Sequence, residues 1–182
     1  MTCIAIARTK TGLMMAGDRK WSYDMSRSFS GPHPKIKKVN NILLGITGSG
    51  DVCQLILDHF SPREPMNELE VIADLRKLLI DNHYSDSEGK LVIPEKSDSL
   101  VLLGYKDVAL TIDLTAGESI STISYGKVPL PHAEGCGGKY ATAVLMDRMK
   151  SGINTKQDIM RALEITSMLS PGCDNHIDFI KT

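Results

Sequence analysis

The second residue of this 182-residue chain is a threonine directly behind Met1, and this pair can carry hydrolytic chemistry. Threonine is small enough for a methionine aminopeptidase to remove Met1 and leave Thr2 at the N-terminus. The freed α-amino group has a pKa of about 7.7 to 8.0, so it can take the proton of the Thr2 hydroxyl near neutral pH. A nucleophile activated in this way needs no histidine. Taken alone, however, a Met-Thr start is far more often the ordinary beginning of a strand.

Motifs for other common chemistries do not occur in the sequence. There is no Gly-x-Ser-x-Gly elbow, no His-Glu-x-x-His helix and no phosphate-binding loop. The four cysteines are scattered, which does not indicate a disulfide framework. Cys173 and His176 have a metal-ligand spacing, but no nearby pair supplies the two further ligands that zinc needs. We therefore expect neither a metal site nor a cofactor.

The composition is that of an ordinary soluble protein. Hydrophobic residues make up 42% and charged residues 24% of the chain, and the formal net charge is −1. This charge gives no electrostatic reason to expect nucleic acid or an anionic membrane as a partner, and the basic run at 35–38 is interpreted as a solvated strand face. No signal peptide or long apolar run is present, so we expect no membrane span and a reducing cytoplasmic location.

The hydrophobic pattern predicts strands and helices in separate groups. Period-two and continuous apolar segments predict strands at 2–7, 12–16, 36–39, 42–47, 100–105, 108–114, 120–124 and 177–180. Helical spacing predicts helices at 52–60, 69–82, 140–149 and 155–169, the last opened by a capping box at Thr155 and Asp158. Asn40 and Asn41 predict a tight hairpin turn because Asn tolerates a positive φ.

This order of elements indicates an α+β fold in one domain over 1–182. Grouped strands and helices argue against strict βαβ alternation. Two antiparallel sheets between two helical layers, a four-layer αββα sandwich, would bury every apolar stripe.

Several blocks, taken in order, resemble the proteasome β-subunit family of N-terminal nucleophile hydrolases, and most of all its bacterial HslV-type branch. These blocks are 14–19 (MMAGDR), 35–39 (KIKKV), 44–51 (LGITGSGD), 134–141 (EGCGGKYA), 162–165 (ALEI) and 174–176 (DNH). They span nearly the whole chain. The resemblance implies the same four-layer sandwich.

The resemblance also implies roles for individual residues. Thr2 would be the nucleophile, Lys35 would lower the pKa of its hydroxyl, and Asp18 would orient Lys35. Lys37 remains a rival for the lysine, since alternate strand residues share a face. Gly48 would offer its backbone N–H to the oxyanion.

Three more residues receive a role from the resemblance. The main chain of Ser22 would pair with an extended substrate, and Ser49 would join the substrate-binding residues while capping the first helix. Cys136 stands where the family has a helper serine, and a thiol is a weaker hydrogen-bond donor.

Another departure concerns the family's second aspartate, which falls near Met168. Met168 cannot ionise, and Ser167 and Ser170 flank it as substitutes. Retention of Met1 would also abolish the base, because the nitrogen of Thr2 would then be an amide.

The resulting expectation is a threonine-type endopeptidase that degrades unfolded polypeptides inside a homo-oligomeric ring. The family admits an unfoldase ATPase ring of the HslU type as a partner. One alternative is the same ring without activity, used as a scaffold or binding module. Another is a small-molecule amidohydrolase, although Cys3 stands in the wrong place to become the terminal residue.

Overall fold

The computed structural model describes residues 2–22, 28–31, 33–64, 67–93, 99–116 and 122–182. Met1 lies outside these residues, and for Ser22 only the backbone is described. The strands are β1 (Cys3–Thr9), β2 (Gly12–Asp18), β3 (Lys20–Ser22), β4 (Ser28–Ser30), β5 (Ile36–Val39), β6 (Ile42–Gly48), β7 (Ser99–Tyr105), β8 (Val108–Thr115), β9 (Thr122–Val128), β10 (His132–Gly135) and β11 (Ile177–Lys181). The helices are α1 (Gly50–His59), α2 (Glu68–Asp81), α3 (Gly138–Arg148) and α4 (Lys156–Leu169).

Two antiparallel sheets form the centre of the molecule. One has the strand order β10-β1-β2-β11 and the other β5-β6-β7-β8-β9, while β3 and β4 form a separate hairpin. Large aliphatic side chains fill the space between the two sheets, among them Ile4, Ile6, Met15, Leu43 and Leu102. The alternation of strand side chains turns the other face of each sheet outward, where it needs a cover.

Helices supply this cover on both sides. The face of the five-stranded sheet that carries Leu44 and Leu103 packs against α1 and α2 through Ile56 and Leu75. On the other side, small residues of β1 such as Ala5 pack against α3 and α4. The layers are therefore helix, sheet, sheet and helix, and the α+β sandwich expected from the sequence is confirmed.

Most individual elements follow their sequence signals. The two N-terminal hairpins are present, and Asn40 adopts a φ of 54° in the turn between β5 and β6. The capping box is complete, since the Thr155 side chain accepts from the Asp158 N–H and the Asp158 side chain accepts from the Thr155 N–H. Among the described residues, the longest helices have 14 residues, and none is long and apolar enough to cross a bilayer.

The sequence pattern misses three short strands and displaces a fourth. β3 and β4 have three residues each and β10 has four, too few for a periodicity to appear. The strand expected at 120–124 is β9, which runs from Thr122 to Val128, and residues 120 and 121 lie outside the described part of the chain. β9 lies at the edge of its sheet, where alternate side chains remain exposed, so it lacks a strong apolar signal.

Candidate active site

Thr2, Lys35 and Asp18 meet at one end of the two sheets. The Lys35 ammonium donates a hydrogen bond of 2.7 Å to Thr2 Oγ1 and one of 3.0 Å to Asp18 Oδ1. It also donates to the Lys20 carbonyl, so its three N–H groups have three acceptors. The three residues are buried, with exposed fractions of 6% for Thr2, 2% for Lys35 and 1% for Asp18. Their contacts form a relay from carboxylate to ammonium to hydroxyl.

The strands explain why these residues meet. Thr2 precedes β1 and Asp18 ends β2, and these two strands are antiparallel neighbours, so the start of one lies beside the end of the other. Lys35 precedes β5 in the facing sheet and enters from the opposite layer. Lys35 sits at a bend rather than within the strand. Its direction is therefore independent of the strand alternation that links it to Lys37.

The surroundings of Lys35 and Lys37 show which of the two lysines contacts the Thr2 hydroxyl. The Lys37 ammonium donates 2.9 Å to the Leu57 carbonyl near the end of α1, away from Thr2. The Trp21 ring lies over the Lys35 ammonium with 5.3 Å from Nζ to the ring centroid, a cation–π contact. The structure thus selects Lys35 as the lysine that contacts the hydroxyl.

Asp18 is fixed by two backbone donors in addition to Lys35. The Cys3 N–H donates 3.2 Å to Oδ1, and the Asp174 N–H donates 3.2 Å to Oδ2. Burial raises the pKa of Asp18 to about 6, because desolvation outweighs the stabilisation that Lys35 and the two N–H groups give to the carboxylate. The Asp18–Lys35 ion pair therefore forms fully only above about pH 6.

Gly48 lies at the end of β6, on the same side of the molecule. The Ile46 N–H donates 3.1 Å to the Lys35 carbonyl, so β6 runs beside Lys35 and ends two residues further on. Gly48 is exposed and has a φ of 127°, a backbone conformation that disfavours other residues. A substrate carbonyl can approach its backbone closely because no side chain intervenes.

An open cleft of about 310 Å³ lies near the end of β6 and is lined by Thr47, Ser99, Leu100, Asp113, Leu114 and Thr115. Ser49 stands at the N-cap of α1, and its N–H donates 3.2 Å to Ser99 Oγ. Ser49 is thus the N-cap residue that the sequence predicts, although its side chain makes no capping hydrogen bond. Ser22 ends β3, where it is paired with Ser28 in the β3–β4 hairpin.

Cys136 contacts Thr2 from the turn between β10 and α3. Its thiol donates 3.4 Å to the Thr2 carbonyl, and it lies 3.6 Å from Cys173 Sγ. The turn fits closely, since a Cβ on Gly135 would lie 2.0 Å from the Thr2 carbonyl oxygen and the φ of Gly135 is 92°. The sequence predicted that Cys136 lies near Thr2. In the structure, Cys136 contacts the Thr2 carbonyl.

The end of α4 shows which residue faces this turn. Met168 is 76% exposed, so its side chain faces solvent. Ser167 bonds back to the Glu164 carbonyl at 2.8 Å, whereas the Ser170 hydroxyl donates 3.6 Å to Cys136 Sγ. Of the two serines that flank Met168, Ser170 is the one that reaches the site.

Sequence reasoning missed three residues that contact the relay or the turn beside it. They are Trp21 over Lys35, Asp174 on Asp18, and Cys173 against Cys136. Asp174 belongs to the 174–176 block, which was the only signal that could have found one of them. Within the described ranges, no group of three or more His, Cys, Asp or Glu side chains is arranged to hold a metal ion.

Comparisons with known proteins give matches among solved structures. No family model matches the sequence, and no curated protein matches it. BPH of Thiobacillus denitrificans, solved in complex with epoxomicin, superimposes with a TM-score of 0.68 at 14% identity, over 98% of this chain and 96% of that one. HslV of Trypanosoma brucei gives a TM-score of 0.61 at 15% identity, over 99% of this chain and 98% of that one. Anbu of Yersinia bercovieri, an ancestral β-subunit, gives 0.61 at 14% identity, over 99% of this chain and 81% of that one.

All three are proteasome-like N-terminal nucleophile hydrolases. The chain therefore has the proteasome-type fold along nearly its full length, and the resemblance inferred from its sequence blocks is confirmed at the level of the fold. At this low sequence identity, the superpositions establish only the fold. The chemistry has to be argued from the residues of the site.

Proposed function

We propose that this protein is a threonine-type endopeptidase whose nucleophile is Thr2 after removal of Met1. The observation that carries the proposal is the buried relay in which the Lys35 ammonium lies 2.7 Å from Thr2 Oγ1 and 3.0 Å from Asp18 Oδ1. Because Oγ1 accepts from Lys35, its own proton remains available for transfer. The α-amine of a terminal Thr2 is the base within reach of that proton.

The reaction follows in two halves. In the first, Thr2 Oγ1 attacks the peptide carbonyl carbon, the hydroxyl proton passes to the α-amine, and Lys35 stabilises the developing alkoxide. The Gly48 N–H stabilises the oxyanion, a contribution of about 2.7 to 4 kcal/mol for one such donor in other hydrolases. The C–N bond then breaks, the amine leaves with the proton from the α-amine, and an ester remains on Thr2. In the second half, a water activated by the same α-amine hydrolyses the ester.

Substrate binding and assembly complete the proposal. An extended polypeptide lies between the backbone of Ser22 and the end of β6 at Gly48 and Ser49, with a side chain in the nearby cleft. The fold of HslV and Anbu supports a homo-oligomeric ring that encloses such sites. An unfoldase ATPase ring as partner and a cytoplasmic location belong to the same proposal. Light scattering that gives a monomer at micromolar concentration would contradict the ring.

An inactive scaffold is not favoured by the site. A buried ion pair is costly to desolvate, and well-packed hydrophobic residues can replace such a pair without loss of stability. Stability alone therefore gives a scaffold little reason to keep Lys35 and Asp18 at 1% side-chain exposure beside a hydroxyl. Retention of this arrangement supports chemistry at Thr2.

Covalent labelling tests the proposal. Intact-mass measurement of protein from its native host should show loss of Met1 on the chains that react. Epoxomicin, the compound bound to BPH, should then add its whole mass to the protein, with the adduct on the Thr2 peptide. Thr2→Ala also permits Met1 removal and should take no adduct, whereas Thr11→Ala, an exposed turn threonine, should react like the wild type. Met1 present on essentially every chain, or no adduct on processed protein, refutes the peptidase.

A further inference from the structure

Two cysteines from distant parts of the chain face each other beside Thr2. Cys136 lies in the turn between β10 and α3, and Cys173 lies in the loop between α4 and β11. Their sulfur atoms are 3.6 Å apart, and a disulfide bond is about 2.05 Å long, so an approach of about 1.5 Å would close it. Both are free thiols in this structure. The fold thus presents a preformed pair.

Local packing holds the two sulfurs together. Gly137 follows Cys136, and a Cβ at this position would lie 2.8 Å from Cys173 Sγ, so only the missing side chain leaves room for that sulfur. The two thiols also differ in access, since Cys136 is exposed and Cys173 is 5% exposed. A dissolved oxidant can therefore reach Cys136 first, and Cys173 is placed to resolve the product.

We propose that Cys136 and Cys173 form a reversible disulfide in response to hydroperoxides and that this bond slows the reaction of Thr2. In the first step, the Cys136 thiolate attacks the peroxide. An S–O bond forms, the O–O bond breaks, and water or an alcohol leaves, with Cys136 oxidised to a sulfenic acid. In the second step, the Cys173 thiolate attacks the Cys136 sulfur, an S–S bond forms, and the S–O oxygen leaves as water. A dithiol reverses the reaction and is itself oxidised to a disulfide.

The pair is connected to the relay at two points. Cys136 donates its S–H to the Thr2 carbonyl, and a disulfide has no hydrogen to donate. Cys173 is followed by Asp174, whose N–H holds Asp18 Oδ2 at 3.2 Å. Drawing Cys173 toward Cys136 moves the residue that fixes Asp18, and Asp18 in turn orients Lys35. Oxidation therefore loosens the carbonyl of the nucleophile and the orientation of its lysine together.

The protonation of the thiols sets the speed of this response. The hydrogen bond with Cys173, followed by burial, raises the pKa of the Cys136 thiol. Hydrogen bonding to Cys136 lowers the pKa of Cys173, but its contact with Cys3 and its burial together raise it to about 12. Only a thiolate attacks, so oxidation is slow near neutral pH and accelerates as the pH rises. The pair responds to sustained oxidant rather than to a brief pulse.

Peptide mapping under non-reducing conditions tests the pairing. Hydrogen peroxide should remove two hydrogens from the mass of the assembled protein and link the peptides of Cys136 and Cys173, faster at pH 8.5 than at pH 7.5. Cys53→Ala removes a buried thiol from another core cluster and should leave the linkage unchanged. A Cys3–Cys173 linkage, an intermolecular linkage, or oxidation of Cys136 to a sulfinic acid without a disulfide overturns the proposal.

The effect on Thr2 rests on the proposed function, whereas the pairing does not. Epoxomicin labelling of Thr2 should slow by about tenfold in the oxidised protein, the effect of losing a hydrogen bond of ordinary strength, and should recover with dithiothreitol. Cys136→Ser should show no peroxide effect, and so should Cys173→Ser if the first variant fails to fold. Full labelling of the disulfide form overturns the switch. No labelling of the reduced, processed protein refutes the peptidase while the linkage still reports on the pair.

Discussion

Replacing Lys35 by methionine removes the central group of the relay while keeping the length of the side chain. The change deletes the ammonium that lies 2.7 Å from Thr2 Oγ1 and 3.0 Å from Asp18 Oδ1. The variant then has no ammonium beside Thr2 Oγ1 to stabilise the developing alkoxide, and a single group with this role contributes about 10²- to 10³-fold to a rate. We expect kcat/KM on a fluorogenic peptide to fall by that factor, and the rate of labelling by epoxomicin to fall with it.

The same change has a consequence for stability that depends on pH. Asp18 has a pKa of about 6 in the wild type, so above that pH its carboxylate is ionised and pairs with the Lys35 ammonium. Without Lys35 the folded variant keeps the proton, whereas its unfolded chain, with an Asp pKa of about 3.9, releases it. A folded state that binds more protons than the unfolded state loses stability as the pH rises. The deficit relative to wild type should grow by about 1.4 kcal/mol per pH unit above about pH 6, to about 2 kcal/mol at pH 7.5.

Urea unfolding at pH 5.5 and pH 7.5, together with peptide turnover, measures both effects. Lys37→Met is the matched control, because Lys37 bonds to the Leu57 carbonyl and should leave the rate near that of the wild type. In the double variant Asp18→Asn/Lys35→Met, no buried charge remains, so the pH-dependent deficit should vanish while activity stays low. Equal rate losses in the Lys35 and Lys37 variants, or a Lys35→Met deficit that is the same at both pH values, would refute the reasoning.

Two further outcomes follow from the geometry. The pH profile of kcat/KM should rise through two ionisations, that of Asp18 near 6 and that of the Thr2 α-amine, a group whose ordinary pKa is about 7.7 to 8.0. Asp18→Asn should lose the lower step, and a flat profile between pH 5 and 7 contradicts this assignment. Gly137→Ala should destabilise by about 1 to 3 kcal/mol in urea unfolding, because its Cβ would lie 2.1 Å from Thr166 Cγ2. Gly126→Ala, with no atom within 4 Å of the added Cβ, should change stability by less than about 0.5 kcal/mol, and equal losses would contradict the packing argument.

Local signals were sufficient for most of the fold. Long apolar segments became β1, β2 and β6 to β8, and the turn at Asn40 and the cap at Thr155 were readable because each depends on the chemistry of a few adjacent residues. β10 could not be predicted from the sequence. Its four residues are mostly polar or small, and what makes them a strand is their pairing with β1, a contact between segments 132 residues apart for Cys3 and Gly135.

The candidate site was predictable where residues belong to recognisable blocks. The blocks indicated roles for Thr2, Asp18 and Lys35. They did not decide between Lys35 and Lys37, because that decision depends on a bend before β5. The neighbourhood of Cys136 was beyond the sequence for another reason. Cys173 comes from a loop 37 residues away, and only the packing of α4 against α3 brings it to the turn.

β1 occupies an interior position in its sheet, with β10 on one side and β2 on the other. The ends of a chain usually fray, because few bonds hold them. Here the backbone amide that follows Thr2 is bonded to Asp18, and the strand beyond it is paired on both edges. Local opening of this segment therefore requires two ladders to separate, at a free energy close to that of unfolding the whole core. The candidate nucleophile thus lies at the start of one of the slowest-opening segments of the molecule, and we expect it to keep its position as long as the core stays folded.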